Sequence, residues 1–190
     1  MLYRLDRINS HTQNPHRKLS TRRIPGNVPY VVDNLWEWTR PPEFPNRRHC
    51  VFCSPQVKLA KKHGGAKAGE VFRVEPSNGA KIAQLEVSDA RDHSDTKQLS
   101  RFVLDQLGSA WPDAPLEVKQ AAGTLWTPCL SAAEVEQLFS RPQLAPLRER
   151  VWHAVRIWSD ARIVKSGCEL PFPEGEVFFE ADEWQLRSMT

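Results

Sequence analysis

Pro173-Glu174-Gly175-Glu176-Val177-Phe178-Phe179 sets two carboxylates, one glycine apart, directly ahead of an apolar run with strand propensity. A strand beginning there sends Glu174 and Glu176 to one side, because side chains alternate with period two. Gly175 is expected to let the chain turn tightly between them. Two convergent carboxylates beside an apolar strand suit a site that stabilises positive charge or accepts a proton. A solvated strand start is the plain alternative. Glu134-Val135-Glu136, in a stretch patterned as helix, has the same spacing. The pair therefore needs partners elsewhere in the chain.

Working outward, several other stretches carry strand or helix patterns. Leu2 to Ile8 alternates as a short strand that puts Arg4 and Asp6 on one face. Asn9 to Pro29 is polar, broken by prolines and basic, with Arg17, Lys18, Arg22 and Arg23. Tyr30 to Trp38 spaces Val31, Leu35 and Trp38 along one helical face, and Arg40-Pro41-Pro42 ends it. His49 to Pro55 reads as a buried strand, followed by a helix over Gln56–His63 closed by Gly64-Gly65. Glu70–Glu75 and Lys81–Val87 alternate as strands, with Ser77-Asn78-Gly79 turning between them as in a hairpin. Helical patterns follow at Thr96–Leu107, in part of Ala114–Leu125, after the capping box Ser131/Glu134, and over Ala145–Trp158. Strands close the chain near Ile163–Val164, Val177–Ala181 and Trp184–Leu186. Strands first, helices in the middle and the carboxylate-bearing strand last give an α+β fold class. That last strand is expected to pair with strands distant in sequence.

The 190 residues suit one domain with a real core, and 40% hydrophobic against 26% charged residues is a globular balance. Net charge is only +3, but it is unevenly spread: residues 1–48 carry +5 and residues 166–190 carry −5. The two ends are expected either to attract each other across a sheet or to form the anion-binding and cation-stabilising sides of one cleft. No apolar run approaches the roughly 18 residues of a membrane span, and the early polar residues after Met1-Leu2-Tyr3-Arg4 lead to the expectation of no secretory signal peptide. The expected setting is therefore cytoplasmic, or a target-cell cytosol reached by a signal-independent route. Cys50-x-x-Cys53 beside His49 invites a zinc reading, yet Cys129 and Cys168 stand alone and no second ligand pair exists. No metal is expected. Phosphate-loop, Gly-x-Gly-x-x-Gly and Gly-x-Ser-x-Gly motifs are missing, which argues against those nucleotide and hydrolase sites.

Three pieces then line up: Leu2-Tyr3-Arg4-Leu5-Asp6, Val51-Phe52-Cys53-Ser54-Pro55 and Glu174-Gly175-Glu176. In that order they resemble the arginine, serine and Glu-x-Glu motifs of the cholera-toxin-like branch of the ADP-ribosyltransferase superfamily. The resemblance implies a split β-sheet core in one domain over residues 1–190, with the helices of about 96–160 as an insertion. It also implies NAD as co-substrate. Arg4 would bind and order it, and Ser54 would line the nicotinamide-ribose pocket, with Tyr3 and Phe52 beside them. Glu176 would be the catalytic carboxylate and Glu174 would engage an arginine-type acceptor. Phe52-Cys53-Ser54 stands where the branch has Ser-Thr-Ser, so only Ser54 keeps a hydroxyl. The implied activity is mono-ADP-ribosyl transfer to a protein or nucleic-acid acceptor, as in a toxin, an injected effector or a defence protein.

A different class of function also fits the basic front. As a non-catalytic module binding nucleic acid or protein, the chain would use Arg17, Lys18, Arg22, Arg23, Arg40, Arg47 and Arg48 on phosphates, with Trp36 and Trp38 stacking on bases. A third possibility keeps the transferase fold without activity.

Overall fold

A computed structural model describes residues 1–7, 12–17, 23–64 and 69–189. It is mixed α+β, with two antiparallel sheets and several helices. The chain divides into two compact units: residues 1–23, 41–90 and 159–190 form one, and residues 24–40 and 91–158 the other. The helices expected as an insertion over about 96–160 fall in the second unit as far as Trp158, and that unit also takes the helix at Tyr30–Thr39. Among the described residues, no helix is long and apolar enough to cross a membrane.

Among the described residues, every strand lies in the first unit. β1 (Leu2–Asp6), β3 (Glu70–Pro76) and β7 (Trp184–Arg187) form one sheet in the order β1-β3-β7. β2 (Val51–Cys53), β6 (Val177–Glu180), β4 (Lys81–Gln84) and β5 (Arg162–Val164) form the other in the order β2-β6-β4-β5. A helix, α2 (Val57–Gly64), follows β2. One backbone bridge ties the sheets: Tyr3 N–H donates to Ser54 O at 2.8 Å, and Ser54 N–H donates to Tyr3 O at 2.8 Å. Period-two alternation then sorts the apolar residues. Leu2, Val74 and Trp184 of one sheet share a buried core with Val51, Cys53, Ile82, Val164, Val177 and Phe179 of the other.

β6 pairs with β2 and β4, both more than ninety residues earlier, as expected for a strand that returns late. The expected hairpin of the strands around Ser77-Asn78-Gly79 does not form. β3 pairs with β1 and β7, while β4 pairs with β5 and β6, so that turn carries the chain from one sheet to the other. Gly79 sits at φ 83°, the left-handed region that glycine enters without strain.

The second unit contains α1 (Tyr30–Thr39), α3 (Ser94–Leu107), α4 (Leu116–Gly123), α5 (Ala132–Phe139) and α6 (Arg148–Ala154). α1 packs against α3 and α5, and it is buried well beyond one stripe, with Val31, Val32, Leu35, Trp36 and Trp38 all inside. The Ser131/Glu134 capping box forms with both of its hydrogen bonds. The single helix expected over Ala145–Trp158 is broken instead. α6 stops at Ala154, Val155 is extended (ψ 127°), and a short α7 (Ile157–Asp160) begins after it. The cause is Asp95, whose carboxylate takes the Arg156 and Ile157 backbone N–H groups.

Candidate functional site

β6 organises the site because its two faces differ. Val177 and Phe179 enter the core between the sheets, so Glu176 and Phe178 face the other way. Phe178 lies opposite Phe52 of β2, with ring centroids 6.2 Å apart. The Arg47 guanidinium covers this aromatic pair, its carbon 4.9 Å from the Phe52 centroid and 4.6 Å from that of Phe178. Arg47 reaches that place from a 3-10 turn over Arg47–His49, opened by Asn46, whose side-chain oxygen accepts from the Arg48 N–H at 3.0 Å.

Glu176 is held at both carboxylate oxygens. Arg47 Nη1 donates to Oε1 at 2.8 Å, and Ala90 N–H donates to Oε2 at 3.2 Å. Its backbone is fixed as well, donating to Val87 O at 2.8 Å and accepting from Leu85 N–H at 2.9 Å. Only 8% of Glu176 is exposed, so its charge is one that must be paired. Glu174, two residues earlier, is exposed.

Arg4 joins the same group of residues from β1. Its Nη1 donates to Phe52 O at 3.0 Å, and its Nε donates to Asp6 Oδ2 at 3.0 Å, in keeping with the shared face expected for Arg4 and Asp6. Arg23 adds a third guanidinium, its carbon 4.7 Å from the Phe52 centroid. Arg23 is exposed by area, yet its pKa is lowered, first by desolvation of the guanidinium and then by the neighbouring charges of Arg4 and Arg47. Ser54 is buried where β1 meets β2, and Tyr3 is its bridge partner. Arg4, Tyr3, Phe52, Ser54 and Glu176 therefore gather around the β1–β2–β6 contact, with Glu174 at its solvent edge. No protein-family model matches the chain, and no curated protein or solved structure does either.

Gly175 acts differently from the tight turn expected of it. Its φ is not in the left-handed region, but a Cβ built on it would overlap the Leu85 carbonyl oxygen. The missing side chain allows close passage of two backbones. The loop ahead of β6 is held by a residue that the sequence did not single out. Gln84, fully buried at the end of β4, donates from Nε2 to Phe172 O (2.6 Å) and Gly175 O (3.1 Å) and accepts from Phe172 N–H (3.1 Å). Its one signal was a polar residue on the Ile82 side of an alternating strand. Gln84→Ala takes the side-chain partner from three backbone groups at the base of Glu176, the buried Gly175 O and the half-buried N–H and O of Phe172. The expected cost is about 2 kcal/mol, a fall of roughly 4–8 °C in melting temperature by circular dichroism. A shift below about 1 °C would mean the loop holds itself.

The remaining basic residues are largely engaged within the protein. Arg17 pairs with Glu180 and Asp182, and Arg40 with Glu37. Arg48 is buried. Lys18 and Arg22 lie outside the described residues. The pairs of Arg17 and Arg47 join the basic front to the acidic tail, the first of the two outcomes anticipated from charge. Trp36 and Trp38 are 1% and 6% exposed, with indole N–H groups bonded to Asp95 and Glu136, so neither offers a face for a base. Cys50 and Cys53 are buried free thiols; burial pushes Cys53 up to about 12, which leaves it protonated and inert as a nucleophile.

Proposed function

We propose that the protein is an NAD-dependent mono-ADP-ribosyltransferase. The observation that carries this reading is the gathering of Arg4 of β1, Ser54 just after β2 and Glu176 just before β6, although some 170 residues separate the first from the last. Two sheets that share a core and, among the described residues, meet in the Tyr3–Ser54 backbone bridge suit the split β-core that the motifs imply. The Arg4 guanidinium is a planar fork suited to the pyrophosphate of NAD.

In the proposed reaction the bond between ribose C1′ and nicotinamide breaks with its electron pair leaving on the nicotinamide nitrogen. Positive charge then grows on the ribose ring, as in glycoside cleavage. The Glu176 carboxylate, accepting a hydrogen bond from the ribose 2′-hydroxyl, lowers the energy of that charge most in the transition state. A nucleophile of the acceptor closes on C1′ and loses a proton. The exposure of Glu174 supports a role toward the acceptor. Phe52 brings an aromatic face where the family has a serine. Acceptors of protein and nucleic acid both remain within the proposal, as do the roles of toxin and effector.

The deciding experiment incubates the purified chain with NAD labelled in the adenylate moiety and a whole-cell lysate. Nicotinamide release with label transferred to protein or nucleic acid is the expected result. No nicotinamide release above a boiled control would refute the proposal.

A further inference from the structure

Val177, Phe179 and Ala181 enter the core, so Glu176, Phe178 and Glu180 share the opposite face of the chain along β6. The first of these carries the proposed chemistry, and the second lies under the Arg47 guanidinium. We infer that the third, Glu180, is a positioning residue: it ties the turn that carries Arg47 to the end of β6 and so sets the guanidinium on Glu176. The placement stands on geometry, and only its effect on turnover rests on the NAD reading.

β2 runs antiparallel to β6 with Val51 opposite Phe179, so the chain just ahead of β2 lies beside the end of β6. That stretch is the turn Arg47–His49. Its opening residue meets Glu180 directly, the Asn46 N–H donating to Glu180 Oε2 at 2.8 Å. Arg17 pairs with the other oxygen, Oε1, so the carboxylate is held from both sides. Hydrogen bonds to an ionised acceptor are the stronger kind.

Asn46 also binds the turn into one unit. Its side-chain oxygen accepts the Arg48 N–H at 3.0 Å, and its carbonyl oxygen accepts the His49 N–H at 2.8 Å. Two further ties act later in the turn: Arg23 N–H donates to Arg48 O at 3.0 Å, and Asn14 Nδ2 to His49 O at 2.7 Å. Those ties hold the residues after Arg47, whereas Glu180 holds the residue before it. From there the Arg47 side chain runs back over Phe178 to Glu176 Oε1, 2.8 Å away. A small shift at the start of the turn is carried along this long side chain to the carboxylate. One end of β6 thereby sets the geometry at the other.

Nuclear magnetic resonance follows exchange of the Arg47 Nε proton with water in wild type, Glu180→Ala and Glu180→Gln. Glutamine keeps an acceptor for the Asn46 N–H but gives up the charge that Arg17 pairs with. Loss of the Arg17 pair weakens both variants alike, so a difference between them reads the Asn46 bond. Glu180→Ala is expected to speed the exchange about tenfold, and Glu180→Gln to stay within about threefold of wild type. An alanine variant within about threefold of wild type overturns the inference, and so does a glutamine variant as fast as alanine. Should Glu180→Ala not fold, Glu180→Asp, one methylene shorter, takes its place under the same limits. For nicotinamide release, Glu180→Ala is expected to lower kcat about tenfold at an unchanged KM for NAD, with glutamine restoring it. An alanine variant with the kcat of wild type also overturns the inference. A wild type that releases no nicotinamide counts against the transferase proposal and leaves the proton exchange to judge Glu180.

Discussion

Glu176→Gln is expected to lower nicotinamide release from NAD by about 10²–10³-fold, the usual loss when one preorganised charge facing a developing transition-state charge is removed. Glutamine keeps the shape of the side chain and one acceptor oxygen. It cannot hold negative charge against an oxocarbenium-like ribose, and this isolates electrostatics from packing. The substitution also touches stability, because Arg47 is then buried beside a neutral amide. An amide oxygen turned to Arg47 puts an amide N–H₂ against the Ala90 N–H, so one of the two present bonds is lost. A cost of about 1–3 kcal/mol follows. The activity assay is therefore read beside a thermal melt at the same pH. Equal turnover in a folded variant would remove Glu176 from the mechanism. Glu174→Gln is the matched control: the residue is exposed, and its substitution should leave stability and NAD hydrolysis unchanged while reducing label on the acceptor.

What the sequence made legible is what local rules decide. Ser131 and Glu134 satisfy each other's backbone across one helical turn, so the start of α5 could be placed from four residues. Val177–Phe179 is apolar, branched or aromatic, and follows Glu174-Gly175-Glu176, so β6 was readable too. Pairing was not. A turn at Ser77-Asn78-Gly79 fixes a reversal of direction, but the buried neighbours of Val74 and Ile82 decide which sheet each strand joins. Arg47 was readable only as one basic residue among several, not as the partner of Glu176. Its place became meaningful only when β2 and β6 brought Phe52 and Phe178 side by side beneath it. Trp36 and Trp38 mislead in the opposite sense. On a helix buried nearly all round, an indole N–H seeks an internal acceptor, and both found one.

The break between α6 and α7 teaches the same lesson at larger energetic scale, and it leads to the strongest stability prediction. Asp95 is 3% exposed, and its carboxylate accepts from Trp36 Nε1 (2.9 Å), Arg156 N–H (3.0 Å) and Ile157 N–H (3.0 Å). Its own backbone N–H is tied as well, donating to His93 Nδ1 at 3.1 Å in the cap of α3. Asp95→Ala strands three donors drawn from α1, α7 and the segment before it, two of them buried and the Arg156 N–H half-buried. Each orphaned donor costs about 1–3 kcal/mol, and shared relaxation brings the expected total to about 3–5 kcal/mol. Asp95→Asn keeps one acceptor but turns an amide donor toward another donor, for an expected loss of about 1–3 kcal/mol. Urea unfolding followed by tryptophan fluorescence measures both, since Trp36 reports on the bond that is lost. If Asp95→Ala unfolds within about 0.5 kcal/mol of wild type, the kink at Val155 is set by the local chain and not by the carboxylate 60 residues before it.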